Sequence, residues 1–387
     1  MAGGGGTGKT WIGVLVAGAV VCGGGYLLHG MHAHAGLVGT LLAVGGLMVV
    51  FGSCEAMILA VQGMGGRLGW NEFVAGNVAG LASNVPEVVM LGFVVSAQPR
   101  VAFIVVALTL HVNALAFGVY SALLPRDATG QARMPDALVR ISTDLVAAGG
   151  GVFLSTGLLM ACMKLFETGE HRGEGFGVLD LAGLGTVLLL VQAVATVELI
   201  KRSPKADPKG AAAAAGAEPL PSWGRIGGYA AVGAGASLLG GHAVGDFADL
   251  LVGGLTRAGY SEMFGALVLS VFSGAGAFVM MISAHARKMY DIALAGVSGA
   301  ITQVPFVVLP AVLLMMAVLA QVGVVPVSPS GSVLPIDLET TSVVLLAFPP
   351  MLILYKSVQD DGHVSWVETA GMVAVFAVTI FFLARHG

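Results

Sequence analysis

Glu87 is the residue whose surroundings point most directly to chemistry, because it stands inside the apolar stretch 72–95 and follows Ser83-Asn84-Val85-Pro86. A proline within a helix removes one backbone donor and frees a carbonyl one turn earlier. Freed carbonyls, the Ser83 hydroxyl and the Asn84 amide beside one carboxylate form a set of hard oxygen donors, the kind a cation takes. An ionisable side chain in an apolar span is costly and marks a functional site. A carboxylate held out of water also exchanges a proton for a cation within the physiological range. Ser273, Asn113 and Gln303 lie in other apolar stretches and offer further oxygens, with His111 and Thr302 beside them. Glu55, Asp246 and Asp249 are acids that could reach such a site, or could simply sit near helix ends.

The elements that must position these residues are membrane spans. Only 10% of the 387 residues are charged and 56% are hydrophobic, against about 25% charged in a soluble domain. A helix needs about 20 apolar residues to cross a bilayer. Runs of that order appear near 11–28, 36–62, 72–95, 100–124, 137–165, 176–200, 225–252, 262–285, 290–320, 338–356 and 364–384, eleven in all. The 58 glycines suit close helix packing, since small residues let backbones approach in lipid. Between the sixth and seventh runs, residues 201–224 form a polar, proline-containing linker.

With the N-terminus in the cytoplasm, the cytoplasmic loops collect thirteen Lys and Arg residues against five on the other side. That bias predicts a multi-pass inner-membrane protein with a cytoplasmic N-terminus. The first run, with Lys9 before it and Ala33-His34-Ala35 after it, also fits a cleavable signal peptide.

A shift of 190 residues aligns the five runs of 36–200 with those of 225–387. Arg67-Leu68-Gly69-Trp70-Asn71-Glu72 then meets Arg257-Ala258-Gly259-Tyr260-Ser261-Glu262, Ser83 meets Ser273, and Val89-Met90 meets Val279-Met280. Asn71 and Ser261 suit helix N-caps, and Glu72 and Glu262 suit first turns. Five is odd, so the two repeats must insert in opposite orientations. The expectation is an all-α polytopic membrane protein of two inverted five-helix repeats, 36–200 and 225–387, plus an extra helix in 1–35. Inverted repeats are the architecture of secondary transporters, whose sites lie near the midplane at interrupted helices.

Ser53 to Glu87, with Glu55, Leu68-Gly69, Asn71-Glu72 and Ser83-Asn84-Val85-Pro86-Glu87, resembles the first repeat motif of the calcium/cation antiporter superfamily, which includes sodium/calcium and calcium/proton exchangers. Asp291-Ile292-Ala293-Leu294-Ala295-Gly296 resembles that family's Asp-Ile-Ala segment. The resemblance implies a ten-helix, two-repeat exchanger over 36–387, with calcium or sodium exchanged against protons or sodium. One departure bears on the ion. Pro86 and Glu87 are matched by Gly276 and Ala277, so the second acidic motif is missing. Calcium prefers six to eight oxygens, commonly with more than one carboxylate. A single Glu against a divalent ion leaves a buried net charge, which is unfavourable, whereas it neutralises a monovalent ion or a proton.

Three other features carry less. Gly3 to Thr10 fits a phosphate-loop pattern, but no strand precedes it and a span follows, so no nucleotide is expected. His29, His32 and His34 lack a carboxylate or Cys to complete a metal site, and Glu167 to Glu174 reads as a solvated loop. Cys22, Cys54 and Cys162 stand at unrelated spacings and read as small buried residues. The small net charge of -4 suggests no nucleic-acid partner, and no nucleophile–base pair suggests an enzyme. The expected function is antiport of inorganic cations by alternating access, with no bound cofactor. Glu87 would be the central cation ligand, and helices 36–62 and 225–252 would slide against the core. A scaffold or sensor that keeps the fold and has lost transport is the alternative, and Ala277 is its argument.

Overall fold

The computed structural model describes residues 10–70, 72–133, 136–166, 175–202, 220–286, 290–359 and 362–386. The phosphate-loop string up to Lys9, the cap Asn71, the loop 167–174 and most of the linker fall outside them. The first half runs α1 (Thr10–Gly30), α2 (Ala35–Leu68), α3 (Glu72–Ser83), α4 (Val85–Ala97), α5 (Pro99–Leu123), β1 (Ala132–Arg133), α6 (Asp136–Leu165), β2 (Gly175–Gly177) and α7 (Val178–Arg202). After the linker come α8 (Trp223–Arg257), α9 (Glu262–Ser273), α10 (Ala275–Ala286), α11 (Tyr290–Gln303) and a π turn (Val304–Val308). The chain closes with α12 (Leu309–Gln321), β3 (Ser332–Pro335), α13 (Leu338–Leu346), α14 (Phe348–Gln359), β4 (His363–Val364) and α15 (Trp366–His386).

Among the described residues nine helices are long and apolar enough to cross a membrane, two fewer than the eleven runs suggest. The difference is local. The run at 262–285 is divided into α9 and α10 at Gly274, and α15 has a shorter apolar stretch. The helix bounds follow the repeat closely. The α3/α4 break at Asn84 and the α9/α10 break at Gly274 are one repeat shift apart. Both α2 and α8 end on a left-handed glycine, Gly69 (φ 69°) and Gly259 (φ 84°), where a β-carbon would be strained. Ser261 caps α9 as expected, accepting from the Met263 amide at 3.0 Å. Where the halves differ, prolines stand. α5 is continuous, but its counterpart is interrupted by the π turn carrying Pro305, and the counterpart of α6 breaks at Ala347 before Pro349-Pro350.

The helices group into two compact units, each drawing on both halves: Met1–Phe93 with Ala193–Leu250, and Val94–Gln192 with Leu251–Gly387. In the first unit α1 lies on α2 along a glycine seam. A β-carbon on Gly18 would come 2.9 Å from the Gly45 carbonyl, and one on Gly45 would come 3.0 Å from the Gly18 carbonyl. Cys22, Val38, Leu42, Val49, Ala236 and Ala243 make the apolar core beside it. α8 joins through three oxygens: Ser53 Oγ donates to the Gly233 carbonyl at 2.6 Å and lies 2.7 Å from Ser237 Oγ. α4 packs on α8 at Gly241 and Gly245, a Gly-x-x-x-Gly seam whose β-carbons would press on Met90 and Phe93. His34 is used as a cap, its Nδ1 accepting from the Gly36 amide. Among the described residues no three His, Cys, Asp or Glu side chains gather as a metal site.

In the second unit α5 is the central helix, buried continuously from Val101 to Asn113. Its loops pair as alternating spans require: β1 with β4 on one side, β2 with β3 on the other, both antiparallel. On the β2–β3 side Arg100 binds three acids, Asp337 at 2.8 Å, Glu262 at 3.2 Å, and Glu339. On the β1–β4 side Asp127 accepts from Thr129 Oγ1 and from the Thr129 and Gln131 amides, which closes the turn before β1. Those bonds, the Thr129 hydroxyl first, hold its carboxyl below the usual range.

Next to that turn Arg126 donates to the carbonyls of Gly130, Ser121 and Val364, with its guanidinium 3.8 Å from the centre of the Trp366 ring. A lysine keeps the charge but cannot reproduce the flat stack and the fan of donors. Arg126→Lys is expected to lower stability by about 1–2 kcal/mol. Thermal unfolding in detergent reads this directly, and an unchanged midpoint would count against it.

Candidate functional site

In the first unit the site is built around the Asn84 break. Pro86 occupies the second position of α4, where its missing N–H costs nothing because helix starts leave those donors unpaired. It therefore starts α4 as much as it stops α3. Glu87 follows in the first turn, half-buried, at the positive end of the helix. α3 ends at Ser83, and Asn84, 9% exposed, bridges the two helices by its own backbone. Ser83 Oγ donates to the Gly80 carbonyl at 2.7 Å, which leaves its lone pairs to accept or coordinate.

Sequence reading missed Cys54. Its thiol donates to the Ser83 carbonyl at 3.4 Å and lies within coulombic reach of both Glu87 and Glu55. Cys54 thus joins Ser83 and Glu87 at the first break. The adjacency of Cys54 to Glu55 was the available signal. Asp246 has a different neighbour, His242, at 3.7 Å. The His242 ring is stacked on Tyr26 and tilted against Phe93. Asp249 is exposed on α8.

In the second unit Ser273 ends α9, 6% exposed, and Gly274 is buried at the break. Asn113 comes to the same place from α5. Its Oδ1 would be 2.9 Å from a β-carbon on Gly274, and this oxygen, on a residue 2% exposed, has no hydrogen-bond partner among the described residues. Gln303 is the last residue of α11, at the entrance to the π turn. His111 and Thr302 are held by their own helices, His111 Nδ1 on the Ala107 carbonyl at 2.9 Å and Thr302 Oγ1 on the Gly299 carbonyl at 2.9 Å. Ala277 is half-buried, and the side chains of Asp291 to Ala293, Ala295 and Gly296 lie outside the described residues.

A protein-family model described as sodium/calcium exchanger protein matches residues 230–385. No curated protein sequence matches the chain. Among solved structures, the H+/Ca2+ exchanger CAX superposes with a TM-score of 0.69 at 12% identity, covering 97% of this chain and 89% of that one. The Ca2+/H+ antiporter protein YfkE gives 0.63 at 14%, covering 97% and 99%. The sodium-calcium exchanger NCX_Mj gives 0.54 at 15%, covering 88% and 98%. At such identities the likeness is one of fold. With an exchanger family match across 230–385 and an exchanger fold along nearly its whole length, this multi-pass membrane chain is similar to sodium/calcium and H+/Ca2+ exchangers.

Proposed function

We propose that the chain is a secondary active cation antiporter working by alternating access, with Glu87 as the group that holds proton and cation in turn. The observation that carries this is the Asn84 break. A half-buried carboxylate stands at the positive end of α4, beside the Ser83 carbonyl and the Asn84 side chain, in an exchanger fold. Such an interruption is tolerated in a membrane where it is packed in protein or lines a cavity. Ser83, Asn84 and Asn113 from the first half, and Ser273 and Gln303 from the second, are the proposed oxygen donors. The exchanged ions are calcium or sodium against protons or sodium, the substrates named for the solved relatives. The inverted repeats give the two access states, and α2 and α8 are the helices that slide. The glycine seam of α8 offers α4 a surface without interlocking side chains. The Lys and Arg distribution supports an inner-membrane protein with its N-terminus in the cytoplasm.

The test is cation flux in proteoliposomes with an imposed pH gradient, offering calcium, sodium and potassium in turn. Uptake coupled to proton movement supports the reading. One observation favours the scaffold alternative: the Gly274 break is occupied by the Phe278 ring and the Asn113 amide. That reading expects no flux of any of these ions from folded protein.

A further inference from the structure

His242 and Asp246 lie one turn apart on α8, a helix long and apolar enough to cross a membrane. Ionisable side chains are costly there and mark function by default. The repeat does not call for them, since its shift matches them with Gly52 and Ala56. Nor do they close into a tight ion pair. His242 Nδ1 stands 3.7 Å from Asp246 Oδ1, beyond hydrogen-bond length, and the two side chains stay 53% and 39% exposed. What holds the imidazole is aromatic packing. Tyr26 of α1 stacks on it with ring centres 5.7 Å apart, and Phe93 of α4 lies tilted at 5.1 Å. The Tyr26 hydroxyl is buried, has no hydrogen-bond partner among the described residues, and lies within coulombic reach of Asp246.

The packing of α4 on α8 relates this pair to Glu87. A β-carbon on Gly241 would lie 3.0 Å from the Met90 amide, and one on Gly245 would lie 2.8 Å from Phe93 Cβ, so the two helices run side by side in the same direction. Glu87 comes one turn before Met90. At a rise of 1.5 Å per residue, His242 is therefore about 6 Å further along the seam than Glu87, and Asp246 about 6 Å further again. All five residues belong to the first unit.

We propose that His242 and Asp246 form a proton relay for Glu87, with Tyr26 and Phe93 positioning the imidazole. The proposal rests on the reading of Glu87 as the group that gives up a proton when a cation binds. That proton crosses through water to one ring nitrogen of His242, and the other nitrogen gives its own proton to Asp246. Imidazole can do this because one nitrogen accepts while the other donates. Asp246 passes the proton to water toward the Arg257 end of α8, the ring returns to its first tautomer, and nothing is consumed. Few other groups compete for the proton. α1 adds Cys22 near Tyr26, and α2 brings only Val49 and Val50 against Gly240 at this level.

The experiment measures two fluxes of the full chain in proteoliposomes, with calcium and with sodium. One is cation uptake driven by a pH gradient; the other is exchange of labelled for unlabelled cation at a single pH, which moves no proton. Wild type is expected to show both. His242→Phe keeps an aromatic ring between its neighbours and is expected to slow pH-driven uptake by about tenfold or more, while label exchange stays within about twofold. Asp246→Asn is expected to act in the same direction and less strongly, and it decides alone if His242→Phe does not fold. Unchanged pH-driven uptake overturns the relay, and so does an equal fall in both fluxes, which would make His242 a packing residue. In either case the wild-type fluxes still support the exchanger. Wild type that moves no ion fails the exchanger reading and takes this inference with it.

Discussion

Glu87→Gln is expected to yield a protein that folds as the wild type does and has lost proton-coupled cation flux by at least about a hundredfold, roughly 2.7 kcal/mol at the site. Glutamine has nearly the shape of glutamate, and both are suited to the third position of a helix. The Asn84 break, the Ser83 carbonyl and the Cys54 contact therefore have no reason to move. What disappears is the charge that balances a cation and the proton that is exchanged for it. The amide still offers an oxygen, so a small residual affinity is compatible with the argument, but coupling to the pH gradient is not. Two measurements are needed together: the unfolding midpoint of the purified variant, and its flux beside wild type. Flux within about twofold of wild type, with coupling intact, would move the exchange chemistry away from Glu87.

The second large effect is expected from Gly241→Leu. A β-carbon at Gly241 would lie 3.0 Å from the Met90 amide nitrogen and 3.2 Å from Met90 Cα. These are backbone atoms, which cannot rotate aside as the Phe278 ring can at Gly274. α4 would have to lift off α8, and α4 carries Glu87. Overpacking of this kind costs about 1–3 kcal/mol, and the same displacement would disturb the carboxylate, so stability and flux are expected to fall together. Gly235→Leu on the same helix is the comparison, because Gly235 is exposed and a β-carbon there meets nothing within 4 Å. Equal unfolding midpoints for the two variants would show that the Gly241 seam does not seat α4.

Much of this fold was legible because membrane spans announce themselves by length and because one repeat shift of the sequence predicts a second set of bounds. The left-handed caps at Gly69 and Gly259, and the breaks at Asn84 and Gly274, fall where that shift puts them. Proline positions would also have foretold the π turn and the Ala347 break, since Pro305, Pro349 and Pro350 have no repeat counterparts. The candidate site was harder to read. Glu87, Ser83 and Asn84 are neighbours in sequence, so their grouping was visible. Cys54 at the Ser83 carbonyl and Ser53 at Gly233 depend on how helices face one another, which apolar periodicity leaves open when all faces are apolar. Phe278 was invisible for a simpler reason: one aromatic among many apolar residues has no signature until its ring is seen over Gly274. The family match, for its part, spans the half where Gly276 and Ala277 replace the acidic motif. The likeness there does not depend on that motif.

The pairing of β1 with β4 has a consequence for how the chain is made. Residues 132–133 find their partners only at 363–364, so one edge strand must wait until the chain has been synthesised and inserted as far as β4. Non-local pairings of this sort form late. The second unit can be hooped on that side only when β4 has been made, so closure waits for every span between β1 and β4. A nascent chain stalled or cut before β4 keeps Arg126 without the Trp366 ring and the Val364 carbonyl that hold it. Such a fragment has its spans but not its clasp, which gives a quality-control protease an open loop to find.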